Sequence, residues 1–416
     1  MQRLEGLCPL SSPSGESATV PALSGGPHTD LAMRVCILLI FTLLNGCFAN
    51  EKQTVSAEPP YEAGAVNPPQ CSASVTGINA DALLNAAPCH RLSEYGLFID
   101  PSEPRLHPRA PGIIYRLNST LFSDHARKYR WLFLPTSDGE VQPAHYSAEG
   151  PLDFPVGTVL VKVFALPSDT SDTDLDSEEI VEVRLLIHRA DGWLGLPYRW
   201  HAELGDGYFL GSGDTLSRTL VHDGLTIDVQ YSVPTYGSCR TCHNDNGQMV
   251  PIGPKARHLN RLISLPGATP QNQLSWWSDQ GLLQELPVDI SHLPLAPDWR
   301  DATARLQDRA KAYLDINCAH CHSDNGAAAL SGLRLEYFRT SIDYTHGVCN
   351  SAHGWRGGGF DIWPGRGEDS SLPLRMELNG AADRMPPLGR SVADGEAVEL
   401  IRRWIDSLPA TECGSG

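Results

Sequence analysis

Apolar and polar positions alternate with period two from about residue 71 to residue 235. GTVLVKVFAL sets Val159, Val161 and Val163 against Leu160, Lys162 and Phe164. IVEVRLLIH sets Val181, Val183, Leu185 and Ile187 against Glu182, Arg184 and His188. LTIDVQYSV places Leu225, Ile227, Val229, Tyr231 and Val233 on one face. Asp223-Gly224, directly before it, is the dipeptide that favours a two-residue hairpin turn. The pattern predicts antiparallel strands, each burying one face. Between two of them, SDTSDTDLDSEE carries Asp172, Asp174 and Asp176. It lacks the glycine of an EF-hand loop and is flanked by strands, so it reads as a solvated hairpin loop.

Beyond residue 235 the spacing becomes helical, in short pieces joined by Gly- and Pro-rich loops. NQLSWWSDQGLL reads as one helix, and ATARLQDRAKAYLDIN places Leu306, Ala310, Tyr313 and Leu314 on one face. DGEAVELIRRWIDSL gathers Ala397, Val398, Ile401, Trp404, Ile405 and Leu408 on one stripe, stopped by Pro409. The expected fold class is multidomain. An antiparallel β-rich domain (71–235) precedes two mainly-α segments, 236–300 and 301–416.

The N-terminal pattern is of another kind. In MRVCILLIFTLLNGC, Met33 and Arg34 lead into an apolar run from Val35 to Leu44, closed by Gly46-Cys47. This is the secretory pattern, too short to span a bilayer as a mature helix. LLNGC resembles a bacterial lipobox. Residues 33–46 are therefore expected to be a lipoprotein-type signal peptide and Cys47 the lipidated first mature residue. Residues 1–32 read as an upstream extension, and 47–70, polar and proline-rich, as a linker. The expected location is the periplasmic side of a Gram-negative-type envelope, as an outer-membrane lipoprotein.

Charge and cysteine usage narrow the function. The 416 residues hold 32 Lys+Arg against 49 Asp+Glu, a net charge of −17. A polyanion is repelled by such a surface, which excludes nucleic acid and favours a redox partner protein with a basic docking patch. In an exported chain the cysteines sit in an oxidising compartment. Of the 11, Cys8 and Cys36 precede the expected mature end, Cys47 is lipidated, and four lie in a repeated motif. Of the remaining four, proximity favours a Cys71–Cys89 disulfide, leaving Cys349 and Cys413 either paired or free.

The repeated motif carries the chemistry. YGSCRTCHNDNG holds Cys239, Cys242 and His243, and YLDINCAHCHSDNG holds Cys318, Cys321 and His322. Cys-x-x-Cys-His is the attachment pattern of c-type haem. Two thiols three residues apart reach the two vinyl groups of one porphyrin, and the adjacent imidazole lies under the iron. Zinc uses the same residue types. Its ribbon pairs usually lie about 15–20 residues apart, whereas these start 79 apart (318 − 239) and each is followed by histidine. The cofactors expected are two covalently bound haem c. His320, inside the second motif, reads as an exposed spacer.

The sixth iron ligand separates a carrier from a catalyst. Met385, in ADRMPPLGRS, resembles the axial-methionine loop of class I cytochromes c, with Met376 as competitor. Helix, Cys-x-x-Cys-His, methionine loop and C-terminal helix also follow the order of that fold. For the first haem the candidates after His243 are Met249, Lys255, His258 and His292, with His258 or Met249 foremost; His201 and His222 of the β-rich domain stay open.

LSEYGLF, LFSDHARKYRWLFLP, FPVGTVLVKVF, RLLIHRADGW, PIGPKARHLNRL, YLDINCAHCH and RMPPLGR together resemble a little-characterised family of bacterial dihaem c-type cytochromes, over roughly residues 90–408. The resemblance implies covalent haem at Cys239/Cys242 with His243, and at Cys318/Cys321 with His322 opposite Met385. The expected function is extracytoplasmic transfer of single electrons between redox partners. The alternative is a dihaem peroxidase or oxidase with an open first haem.

Overall fold

The alternating region builds a six-stranded antiparallel meander in which each strand pairs with the next. The strands are β1 (Ile113–Ile114), β2 (Arg127–Phe133), β3 (Val159–Pro167), β4 (Glu178–Arg189), β5 (Gly192–His201) and β6 (Asp206–Phe209). A separate hairpin, β7 (Asp214–His222) and β8 (Leu225–Val233), turns at Asp223-Gly224, whose φ angles of 50° and 75° are those of a type I′ turn. The computed structural model describes residues 66–414 apart from Ser74, Val75, Pro266, Ala268, His353, Gly354 and 356–358. The described residues belong to a single unit, Ala57–Gly416. Cys47, residues 1–46 and most of the linker lie outside the described residues.

One sheet face follows the alternation. Val159, Val161, Val163, Val183, Leu185 and Ile187 are buried with Leu92, Tyr95 and Leu97 from the segment preceding the sheet. That segment contains α1 (Ala80–Asn85) and is clamped by the Cys71–Cys89 disulfide. Val181 departs from the expectation. A register shift between Phe164 and Ala165 puts it opposite to Val183, in a cluster with Phe164, Val229 and Tyr231.

The second face is also covered, which corrects the expectation of one buried face per strand. Leu132, Leu160 and Leu186 pack with Ile252, Ala256, Leu259, Leu274 and Trp277. These come from residues 236–300, whose regular pieces are short: α2 (Cys239–Cys242), α3 (Ala256–Leu259) and α4 (Gln273–Asp279). Here the structure differs from a mainly-α segment with its own core, because helices of four to seven residues are too short to bury one another. They close on the sheet instead.

The C-terminal segment does have its own core. α5 (Leu306–Asn317) and α7 (Gly395–Asp406) pack together, joining Ala310, Tyr313 and Leu314 to Val398, Ile401 and Trp404, with Met376 of α6 (Ser371–Glu377) beside them. Asp394 caps α7 by accepting from the Ala397 N–H. A Cys349–Cys413 disulfide anchors the chain end. The acidic 168–177 loop is a β3–β4 connection whose Asp169 and Asp172 accept from backbone N–H groups two residues on. Among the described residues no helix is long and apolar enough to cross a membrane.

Candidate functional site

Each Cys-x-x-Cys-His forms one tight turn, closed by the same backbone bond. The His243 N–H donates to the Cys239 carbonyl at 3.0 Å, and the His322 N–H to the Cys318 carbonyl at 2.9 Å. α2 is the first turn itself, while α5 ends with Cys318 as its C-cap. Both cysteines of each motif therefore project from one side, at i and i+3. Among the described residues these four are the free cysteines; Cys71, Cys89, Cys349 and Cys413 are all in disulfides.

The two turns face each other through matching residues. Sγ of Cys242, Sγ of Cys321 and a ring nitrogen of His320 lie within 4.8 Å of one another. Sγ of Cys321 is 3.9 Å from the Thr241 carbonyl. The Asn246 N–H donates to the Asn325 carbonyl at 3.0 Å. Cys242 and Cys321, Thr241 and His320, and Asn246 and Asn325 are each 79 positions apart, the offset between the motifs. Equivalent positions thus meet across a local two-fold relation, as in an isologous interface. Cys321 pulls the Cys242 thiol pKa down, and the shared proton pushes that of Cys321 up. His320 is half-buried, not an exposed spacer, and its Nδ1 is buried without a partner.

Both motif histidines are fixed through Nδ1, which leaves Nε2 as the nitrogen available to a ligand. Nδ1 of His243 pairs with the Val250 carbonyl at 2.8 Å, and Nδ1 of His322 with Ser331 Oγ at 3.0 Å. Burial, with Lys162 second, lowers His243 to about 3; burial, with His320 second, lowers His322 to about 4. Both imidazoles are therefore neutral at neutral pH, the form that binds a metal. Sequence reasoning found the histidines but not their partners, because Ser331 and the Val250 carbonyl carry no motif.

A cavity of about 430 Å³ opens beside His243. Its walls include Cys239, Cys242, Ile252 and His320 on the motif side, Lys162, Phe164 and Arg184 on the sheet side, and Tyr231 of the hairpin. Across three paired strands, Arg130, Lys162 and Arg184 form one row on the covered sheet face. Arg184 is bidentate to Glu182 at 2.7 Å, and Tyr231 donates to the same carboxylate. Arg130 donates to the Lys128 carbonyl. Burial, then Arg130 and Arg184, lowers the Lys162 amine to about 7. In the neighbouring row, Leu160–Leu186–Gly195, Gly195 of β5 lets Cys239 sit directly on the sheet: a Cβ there would lie 3.1 Å from Cys239 Cβ and 3.2 Å from its sulfur.

The sequence-based candidates for the first sixth ligand fall in different places. His258 is fully buried with Nε2 on Asp315 at 2.7 Å, and Arg257 and Lys255 hold the same carboxylate. It serves a buried charge cluster and is not a wall of the cavity beside His243. Met249 packs with Cys239 around Gly195. His292 is exposed beside Asp289, His201 pairs with Glu203, and His222 with Thr170. At the second motif, Met385 and Met376 border one small cavity with Tyr313, Asn317 and Arg390; His322 is not among its walls. Arg390, buried and missed by the sequence, fixes the loop by donating to the carbonyls of Met385 and Leu378 and to Asn379.

Comparison of the chain with protein-family models, curated proteins and solved structures found no match.

Proposed function

We propose that this chain is an extracytoplasmic dihaem c-type cytochrome that passes single electrons between redox partners. Cys239 and Cys242 would hold one haem with His243 as proximal ligand; Cys318 and Cys321 would hold the other with His322, opposite Met385. Haem iron would supply a reversible one-electron couple. The residues fit that group: four free thiols in two turns closed by the same backbone bond, and two neutral imidazoles each pinned through Nδ1.

The observation that carries the reading is the meeting of Cys242 with Cys321. Attachment sulfurs this close give an electron a short path from one centre to the other, and tunnelling falls steeply with distance. Zinc on Cys242, Cys321 and His320 would account for three of these ligands. It would leave Cys239, Cys318 and both pinned histidines without a role. The acidic surface would steer a basic partner. Periplasmic placement and a lipid on Cys47 belong to the same proposal.

The test is circular dichroism in the Soret region. Two porphyrins attached at touching sulfurs couple their transitions and give a two-signed couplet; a sum of two independent bands would contradict the paired arrangement. The cavity beside His243 also admits a second reading, a peroxidase or oxidase with an open first haem. Rapid peroxide turnover by the haem-loaded protein would favour it over a carrier.

A further inference from the structure

We propose that Lys162 is the sixth ligand of the first haem iron, its Nζ approaching from the sheet opposite His243. The inference rests on the dihaem reading and adds the distal group that the sequence left open.

Geometry carries the argument. Cys239 lies on Gly195 of β5, and Gly195 pairs with Leu186 of β4, which pairs with Leu160 of β3. A flat group attached at Cys239 and Cys242 thus meets a wall of β5, β4 and β3. Lys162 lies on the same face of β3 as Leu160, and it borders both cavities that His243 borders. Of the three cations in its row, Arg184 is occupied by Glu182 and Arg130 by a carbonyl. The Lys162 amine has only the ring of Phe164, at 5.4 Å. Lys162 is half-buried in the cavity wall, and an amine held there without an acid partner is costly unless its lone pair or its charge is used. Iron uses the lone pair.

The step balances simply. The ammonium releases one proton to solvent, the nitrogen lone pair forms the bond to iron, and no electron changes hands. His258 is bound to Asp315, and His201, His222 and His292 do not border this cavity; His320 does, but from the motif side, beside Cys242 and Cys321. A lysine-ligated first haem is six-coordinate, which matches a carrier rather than an enzyme with an open site.

The test uses the full chain matured with haem, as wild type, Lys162→Ala and Lys162→Gln. Haem content by mass comes first, followed by electron paramagnetic resonance of the ferric form, near-infrared magnetic circular dichroism and carbon monoxide binding by the ferrous form. The wild type should show two low-spin haems, one with the charge-transfer band of a histidine–amine pair. In both variants about half of the haem should turn high-spin and bind carbon monoxide. Two haems with unchanged spectra in the variants would overturn the Lys162 assignment alone. No covalent tetrapyrrole in the wild type would instead remove the dihaem reading. Should the variants fail to mature, the wild-type near-infrared band decides: histidine–amine supports the assignment, and any other pair or a high-spin first haem overturns it.

Discussion

Met385 is held on both sides of its peptide: its N–H donates to the Arg375 carbonyl at 2.8 Å, and its own carbonyl accepts from Arg390 at 2.9 Å. Fixing the backbone this way leaves the thioether as the free part of the residue, suited to an axial bond. Because a Met/His pair raises a haem potential, Met385→Ala should lower the potential of one haem and leave the other unmoved. Potentiometric titration checks this; two unchanged potentials would transfer the role to Met376, which borders the same cavity. At this scale the cysteines, the motif histidines and Met385 could be picked out as candidates because each stands in a motif of a few residues. Lys162 could not. It faces His243 from 81 positions earlier (243 − 162), and in the sequence it is one polar position in an alternating strand. Its one trace was a lone cation inside a strongly apolar run.

Among the elements, β5 sets the position of a candidate attachment cysteine through one backbone site. Gly195 admits Cys239 and Met249 against the sheet, and a side chain there would press on both. Gly195→Val should therefore reduce covalent haem from two per chain toward one, the remaining haem being that of Cys318 and Cys321. Mass analysis of haem peptides reads this directly; full loading of both motifs in the variant would contradict the packing argument. The hairpin β7–β8 and the helices α5 and α7 were legible because turn chemistry and a 3.6-residue stripe are local signals. The displaced face of Val181 was not, since the register shift at Phe164 and Ala165 depends on pairing between strands. The covering of the second sheet face was hidden for a similar reason: its cover comes from residues 252–277, where the elements are too short to announce themselves.

For the molecule as a whole, buried histidines set the response to acid. Burial, with His222 second, lowers His125 to about 4, and burial, with Lys311 second, lowers His346 to about 4. The unfolded chain protonates these imidazoles near pH 6.5. Below that pH it binds protons that the folded chain refuses, so stability present above about 6.5 drains away as pH falls toward 4. Asp124, Asp206 and Asp394, raised by burial, act in the opposite sense as pH falls through their folded values. Their ordinary value of 3.8 marks the acid end of that compensation. Between pH 7 and about 5.5 the urea midpoint should fall; a constant or rising midpoint would contradict the sign. At this scale the sequence conveyed the β-rich character of 71–235 and the acidic surface. It did not convey that residues 236–300 fold onto the sheet, because that segment's apolar positions complete a surface already made.

The central claim is that both Cys-x-x-Cys-His turns carry covalent haem, and the pyridine haemochrome of denatured, exported protein tests it most directly. The account predicts two c-type haems per chain that stay with the polypeptide through denaturation. A colourless denatured chain with no added tetrapyrrole mass would contradict it, and zinc bound at Cys242, His320 and Cys321 would then become the better reading of the same turns.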